Sequence, residues 1–271
     1  MATTRTLDVP GARLHYEVRG DGPPLLLMGS PMGAADFAPL ADALAGEYTV
    51  VTHDPRGVGG SRVDDPEQDS TPELRADDVA ALLDAVGAES ADVFGSSGGA
   101  VTVLALAERH PGRVRTAVAH EPPLLELLPE AAEQRAATED IIDTFHRHGT
   151  GAAWMKFMAN AGFDMGEMDE EAAGPPEGES SEQDEADAAR FFAHELRGTT
   201  RHLPDTAALK AGPVRVVVGI GAGSGGLITH RTSTALAGLF GVPPVEFPGD
   251  HTGFIDHAEE FARVLRGAVR G

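Results

Sequence analysis

Ser96 and Ser97 lie in "VFGSSGGA" (93–100), where small residues surround two hydroxyls. Gly95 and Gly99 fit G-x-S-x-G centred on Ser97, whereas centring on Ser96 would demand a glycine where Phe94 stands. Small residues two before and two after a serine let a strand turn sharply into a helix, with the middle residue strained and its side chain projecting outward. The following helix would add free N–H groups and a dipole that favour developing negative charge. Ser97 is therefore the candidate nucleophile and Ser96 a spacer. The competing reading is a glycine-rich turn without chemistry, or one that cradles a phosphate.

A hydroxyl needs a base to take its proton. Among eleven histidines, His110 ends a surface helix, and His146, His148, His194 and His202 fall in a long helical stretch. His251, in "EFPGDHTGF", follows a short late strand and precedes the final helix. Loops at the carboxyl ends of strands in an open α/β sheet converge on one crevice, so His251 can meet Ser97 despite their separation. His251 is the candidate base.

The elements that must bring them together alternate along the chain. "ARLHYEVR" (12–19) has strand alternation, while "PPLLLMG" (23–29), "YTVVTHD" (48–54) and "ADVFGS" (91–96) are short apolar runs suited to buried strands. "DFAPLADALAG", "TPELRADDVAALLDAVGA" and "GGAVTVLALAERHP" between them have helical spacing. "VRTAVAHEP" (114–122), "PVRVVVGIG" (213–221) and "PPVEFPG" continue the strands, and "THRTSTALAGLFG" and "AEEFARVLRGAVR" the helices. This predicts an α/β fold with a mainly parallel sheet covered on both faces. Residues 124–205 interrupt the alternation.

On these motifs the chain resembles the α/β-hydrolase superfamily: "LLLMGSPMG" at the family's oxyanion loop, "HDPRGVGGS" (53–61), the elbow at Ser97 and the late His251. The resemblance implies an eight-stranded, mainly parallel sheet with a helical cap inserted after the sixth strand. The core would comprise 1–123 and 206–271, and the cap 124–205 with an acidic loop at 163–189. It also implies a triad whose acid follows the seventh strand, but "VVVGIGAGSGGLITH" carries no carboxylate there. The best substitute is Glu121 in "VAHEPP", at the end of the preceding strand, where a carboxylate can orient an imidazole and stabilise its charged form. Asp250 is a weaker rival, and Asp54 is expected to tie down its own loop or Arg56. The zearalenone hydrolases, a lactonase group of this superfamily, are similar in having an "H-E-x-P" after the sixth strand, an uncharged segment after the seventh and a "P-G-x-H" turn. That likeness implies Ser97–His251–Glu121. The chain also looks like uncharacterised actinobacterial α/β hydrolases.

Acyl transfer needs two N–H donors aimed at the developing oxyanion. Gly98 would supply one and "MGSPMG" the other; Pro31 has no N–H, which leaves Ser30, with Met32 as rival. Trp154, Phe157, Met158 and Phe163 form an aromatic and Met stripe that could be helix packing or substrate wall. Trp154, Phe157 and Met158, with Met32 and Phe254 beside the catalytic loops, are the candidate pocket residues. Glu195 and Arg197 are assigned to a structural pair.

A formal charge of −22 argues against nucleic acid or an anionic membrane as partner. Half of it lies between Phe163 and Ala189, with eleven acidic and no basic residues, which reads as a solvated, mobile loop. The absence of cysteine excludes disulfides and thiolate chemistry. Without an apolar leader or membrane span the default location is cytoplasmic. The expectation is a serine hydrolase of a small apolar ester or lactone, with no metal or cofactor and a homodimer left open. The alternatives are a cofactor-free perhydrolase or haloperoxidase on the same fold, or a non-catalytic ligand-binding homologue.

Overall fold

The computed structural model describes residues 2–163 and 181–271. Among these described residues nine strands form one sheet: β1 (Thr3–Val9), β2 (Ala12–Arg19), β3 (Pro24–Met28), β4 (Thr49–His53), β5 (Arg62–Val63), β6 (Ala91–Ser96), β7 (Val114–His120), β8 (Arg215–Gly221) and β9 (Val245–Phe247). Eight run in the order β1-β2-β4-β3-β6-β7-β8-β9, parallel from β4 to β9. The hairpin partner β1 and the β2–β4 pair are antiparallel. The ninth strand, β5, pairs with Ala12 and Arg13 of β2 off this path. Two residues are too few to show periodicity, so β5 goes unsignalled, and the seven strand segments read from the sequence omit β1 as well.

The helices are α1 (Ala38–Leu44), α2 (Pro72–Ala85), α3 (Gly98–Arg109), α4 (Ala131–Ala161), α5 (Glu182–Arg190), α6 (Leu196–Arg201), α7 (Thr206–Ala211), α8 (Ile228–Phe240), α9 (Gly253–Asp256) and α10 (Ala258–Arg270). Their starts follow local chemistry: the Thr71 side chain accepts from Leu74 N–H and Pro72 opens α2 without needing a donor.

Alternation within β3 divides the core. Leu26 and Met28 face Leu82, Leu104 and Leu236 from α2, α3 and α8, while Leu25 and Leu27 face Phe37, which precedes α1, and Leu44, Phe261 and Leu265 from α1 and α10. Phe254 belongs to this second face, fully buried and stacked 4.7 Å from Phe37.

Between β7 and β8 the chain makes α4 to α7. A kink interrupts α4 at Gly149, whose φ of 83° suits glycine. Ile141, Ile142, Phe191, Phe192 and Leu196, with Phe145, Trp154 and Phe157, form a separate apolar cluster.

Two expectations for this region change. Residues 182–189 of the acidic segment are helical in α5, because Ser181 and Asp184 form a reciprocal capping box and Glu182, Asp184 and Glu185 suit the helix's positive end. Residues 164–180 of that segment lie outside the described residues. Glu195 and Arg197 do not pair: positions two apart on a helix point to different sides. Arg197 binds Glu139 at 2.8 Å, and Glu195 turns inward.

Candidate active site

β6 leads into α3 through Ser97, whose φ of 56° and ψ of −125° lie outside the ordinary regions for a side-chain-bearing residue. The surrounding glycines are steric requirements. A Cβ on Gly95 would fall 2.3 Å from the Gly99 carbonyl oxygen, and one on Gly99 would fall 2.4 Å from that of Met28. Ser97 N–H donates to the carbonyl of His120, the residue that ends β7. Ser96 faces inward, its Oγ 3.0 Å from His120 Nδ1.

Glu121 follows His120 and leaves the sheet at φ 51°. Among the described residues it and Ser97 are the two non-glycine positions with positive φ. Its N–H donates to Gly219, and its side chain is fully buried. Oε1 accepts from Gly221 N–H at 2.9 Å, and Oε2 accepts from Thr229 Oγ1 at 3.3 Å and from His251 Nδ1 at 2.5 Å. Burial pushes the Glu121 carboxyl up, but the His251 hydrogen bond, nearby imidazoles and the Gly221 N–H outweigh it and hold it at about 2. Burial in turn depresses His120 to about 3, which keeps that ring neutral near pH 7.

The end of β8 explains why the acid sits here. A Cβ on Gly221 would lie 2.6 Å from both the Asp250 carbonyl and Ser224 Oγ. Ala222 and Gly223 N–H groups bind the carbonyls of Phe247 and Gly249. The segment is thus zipped by its backbone to the loop carrying His251, leaving no room for a side chain at Gly221, and it contributes an N–H to Glu121 instead. Asp250 is turned to its own loop, where Oδ1 accepts from Thr252 N–H and Oγ1.

Asp54 likewise ties down loops, accepting from Ala34 and Gly60 N–H groups. It does not bind Arg56, which forms a buried fork with Asp78 at 2.6 and 2.8 Å.

Ser97 and His251 line one cavity of about 270 Å³ together with Ser30, Met32 and Gly98. No hydrogen bond joins Ser97 to His251 among the described residues; such contacts often tighten only when substrate is seated. With Nδ1 bound to Glu121, Nε2 is the ring nitrogen left for a substrate-side proton transfer. Gly98 is the first residue of α3, so its N–H has no intrahelical acceptor. Ser30 packs against it: a Cβ on Gly98 would fall 2.9 Å from Ser30 Cβ and its carbonyl oxygen.

Trp154, Phe157 and Met158 also line the cavity, along with Leu125, Ile141 and Phe191. Trp154 is helix packing as well, stacked on Phe191 at 5.4 Å and 9°. Phe254 is a correction, since it lies among Phe37, Phe94 and Phe261 on the far face and not on the cavity wall. Chain proximity to His251 misleads there, because the helical turn at Gly253 carries the next side chain into the core.

Three groups around the site escape sequence reading: Gly221 N–H, Thr229 Oγ1 and Glu195, which accepts from Ser30 Oγ. The first two act as ordinary strand-end and helix-start residues in sequence, and Glu195 carried only a local charge signal. Among the described residues no three His, Asp or Glu side chains gather as an ion site, and no helix is long and apolar enough to cross a membrane.

Residues 23–198 match the family described as the alpha/beta hydrolase fold. The chain is 35% identical over 265 residues to the uncharacterized hydrolase YraK of Bacillus subtilis, covering 96% of this chain and 93% of that protein. It is 27% identical over 279 residues to a zearalenone hydrolase of Bionectria ochroleuca, covering 98% and 97%. Among solved structures, a thermophilic esterase from Thermogutta terrifontis superposes with a TM-score of 0.71 at 22% identity, over 100% of this chain and 98% of that one.

Proposed function

The chain belongs to the α/β-hydrolase family and is a hydrolase, and from that premise we propose that it cleaves carboxylic esters or lactones through a serine-bound acyl intermediate. Ser97 attacks the carbonyl carbon while His251 Nε2 takes its proton. Glu121 holds the ring through Nδ1 and stabilises its charged form. The Gly98 and Ser30 N–H groups receive the oxyanion, His251 then protonates the leaving alcohol, and water repeats the sequence to release the acid. In a lactone the leaving alcohol stays tethered, so one product carries both groups.

The observation that carries this reading is the 2.5 Å bond between His251 and a fully buried Glu121 at the rim of the cavity that Ser97 lines. Strain supports it too: Ser97 and Glu121 hold costly backbone angles, and such angles cluster at working sites. The apolar wall of Met32, Trp154, Phe157, Met158 and Phe191 favours an uncharged substrate. Helices α4 to α6 act here as a cap over the site. Similarity to a zearalenone hydrolase is consistent with a lactone among the substrates.

Purified protein should hydrolyse p-nitrophenyl acetate or butyrate, and a fluorophosphonate probe should label Ser97. Ser97→Ala should lose both. Retained turnover in that variant would remove the proposal.

A further inference from the structure

Glu195 is a buried charge that the mechanism above leaves unused. It ends a π-helical segment, Phe191–Glu195, the kind of helical irregularity often found beside functional sites. Its side chain is fully buried, and Oε2 accepts from Ser30 Oγ at 2.5 Å, across 165 residues of sequence. Arg75 Nη1 lies 3.8 Å from the same oxygen. That guanidinium is anchored by the Ser70 carbonyl, Thr102 Oγ1 and Thr199 Oγ1. Oε1 has no partner among the described residues.

Burying an incompletely satisfied carboxylate is costly, and an apolar residue of similar size would stabilise the fold better. What Glu195 secures is the Ser30 side chain. A short charge-assisted bond fixes where the Ser30 Cα–Cβ bond points. Ser30 lines the cavity beside Gly98, and a fixed Cα–Cβ bond limits the rotation of the peptide plane that carries its N–H. Pro31 restricts the Ser30 backbone from the following side, whereas Gly29 before it offers no side chain to hold the Ser30 amide. Arg75 offsets a negative charge that would otherwise oppose an oxyanion nearby.

We propose that Glu195 is a positioning residue for acyl transfer: through Ser30 Oγ it holds the Ser30 N–H in line with that of Gly98. The oxyanion donors are then set partly by the segment between β7 and β8, and not by the Ser30 loop alone. This inference rests on the serine-hydrolase reading.

The test uses Ser30→Ala, Glu195→Ala and Glu195→Gln in the full chain, with circular dichroism and thermal melting as folding controls. Ser30→Ala keeps the backbone donor and removes only the tether. It and Glu195→Ala should each lower kcat roughly 10- to 100-fold with KM changed less than about threefold, since a small misplacement of an oxyanion donor acts on the transition state. Affinity for a trifluoromethyl ketone, which forms a tetrahedral adduct, should fall in parallel. Glu195→Gln keeps an acceptor for Ser30 and should recover most of the activity. The double Ala variant should be no slower than the slower single one, because both cut the same link.

A folded Ser30→Ala protein with wild-type kcat and ketone affinity would overturn the positioning role, as would additive losses in the double variant. If Glu195→Ala does not fold, Ser30→Ala and Glu195→Gln still decide it. Failure of the probe to label wild-type Ser97 is a separate outcome, which removes the hydrolase reading and this inference with it.

Discussion

Ser97 and Glu121 leave neighbouring strands immediately past one rung of the sheet: Ser96 pairs with His120, and the next residue on each strand turns to positive φ, at 56° and 51°. Each such angle costs on the order of 1–3 kcal/mol, so the surroundings must over-determine it. They do. Ser97 is held by the His120 carbonyl and crowded glycines, and Glu121 by Gly219, Gly221, Thr229 and His251. The two strained residues thus project from adjacent strand ends toward the loop that carries His251.

Glu121→Gln tests the acid. The amide keeps the volume and can still accept one hydrogen bond, but it cannot stabilise a charged imidazole. Turnover of p-nitrophenyl butyrate should fall about ten-thousand-fold, with KM little changed. Near-normal kcat would transfer the orienting role to another residue.

Gly221→Ala tests why the acid is not after β8. Its Cβ would sit 2.6 Å from the Asp250 carbonyl and Ser224 Oγ, pushing the His251 loop away. Overpacking of this kind costs about 1–3 kcal/mol, so the melting temperature should drop and kcat with it. For the same reason Gly221→Asp should not rescue Glu121→Gln. Restored turnover in that double variant would show the site has room after all.

Acid sensitivity should have two stages. His53 is buried, and burial depresses it from 6.5 to about 4, so the unfolded chain binds its proton first. Stability is full above pH 6.5 and is lost as the pH falls towards 4, by on the order of 3 kcal/mol. His120, held at about 3, acts in the same direction. Glu121 adds a later loss: its folded value lies below the usual 4.5, so its contribution is present above pH 4.5 and disappears as the pH falls towards 2. Melting curves of His53→Gln should show a shallower slope between pH 6.5 and 4 than the wild type. An unchanged slope would remove His53 from this account.

Trp154→Ala should widen the cavity and cost stability, because the indole lines the wall and stacks on Phe191. A loss of about 3 kcal/mol is expected. The ratio of kcat/KM for p-nitrophenyl octanoate over acetate should rise about tenfold or more, in line with what added methylenes gain in an apolar pocket. A falling ratio would place the acyl chain elsewhere.

The sequence by itself determined the local features: where strands alternate with helices, that Ser97 stands at the turn after a buried strand, and that "VVVGIGAGSGGLITH" lacks an acid. These are legible because burial periodicity, turn residues and charge act over a few neighbouring positions. Glu121 was reachable as a candidate because a carboxylate at a parallel strand's end has only one rim to face. Tertiary structure alone decided what Glu121 touches, that Phe254 turns to the opposite core, that Arg56 binds Asp78, and that Glu195 grips Ser30 and not Arg197. Those outcomes depend on side-chain direction after distant segments close around each other, and a helix turned by part of a residue is enough to exchange one partner for another.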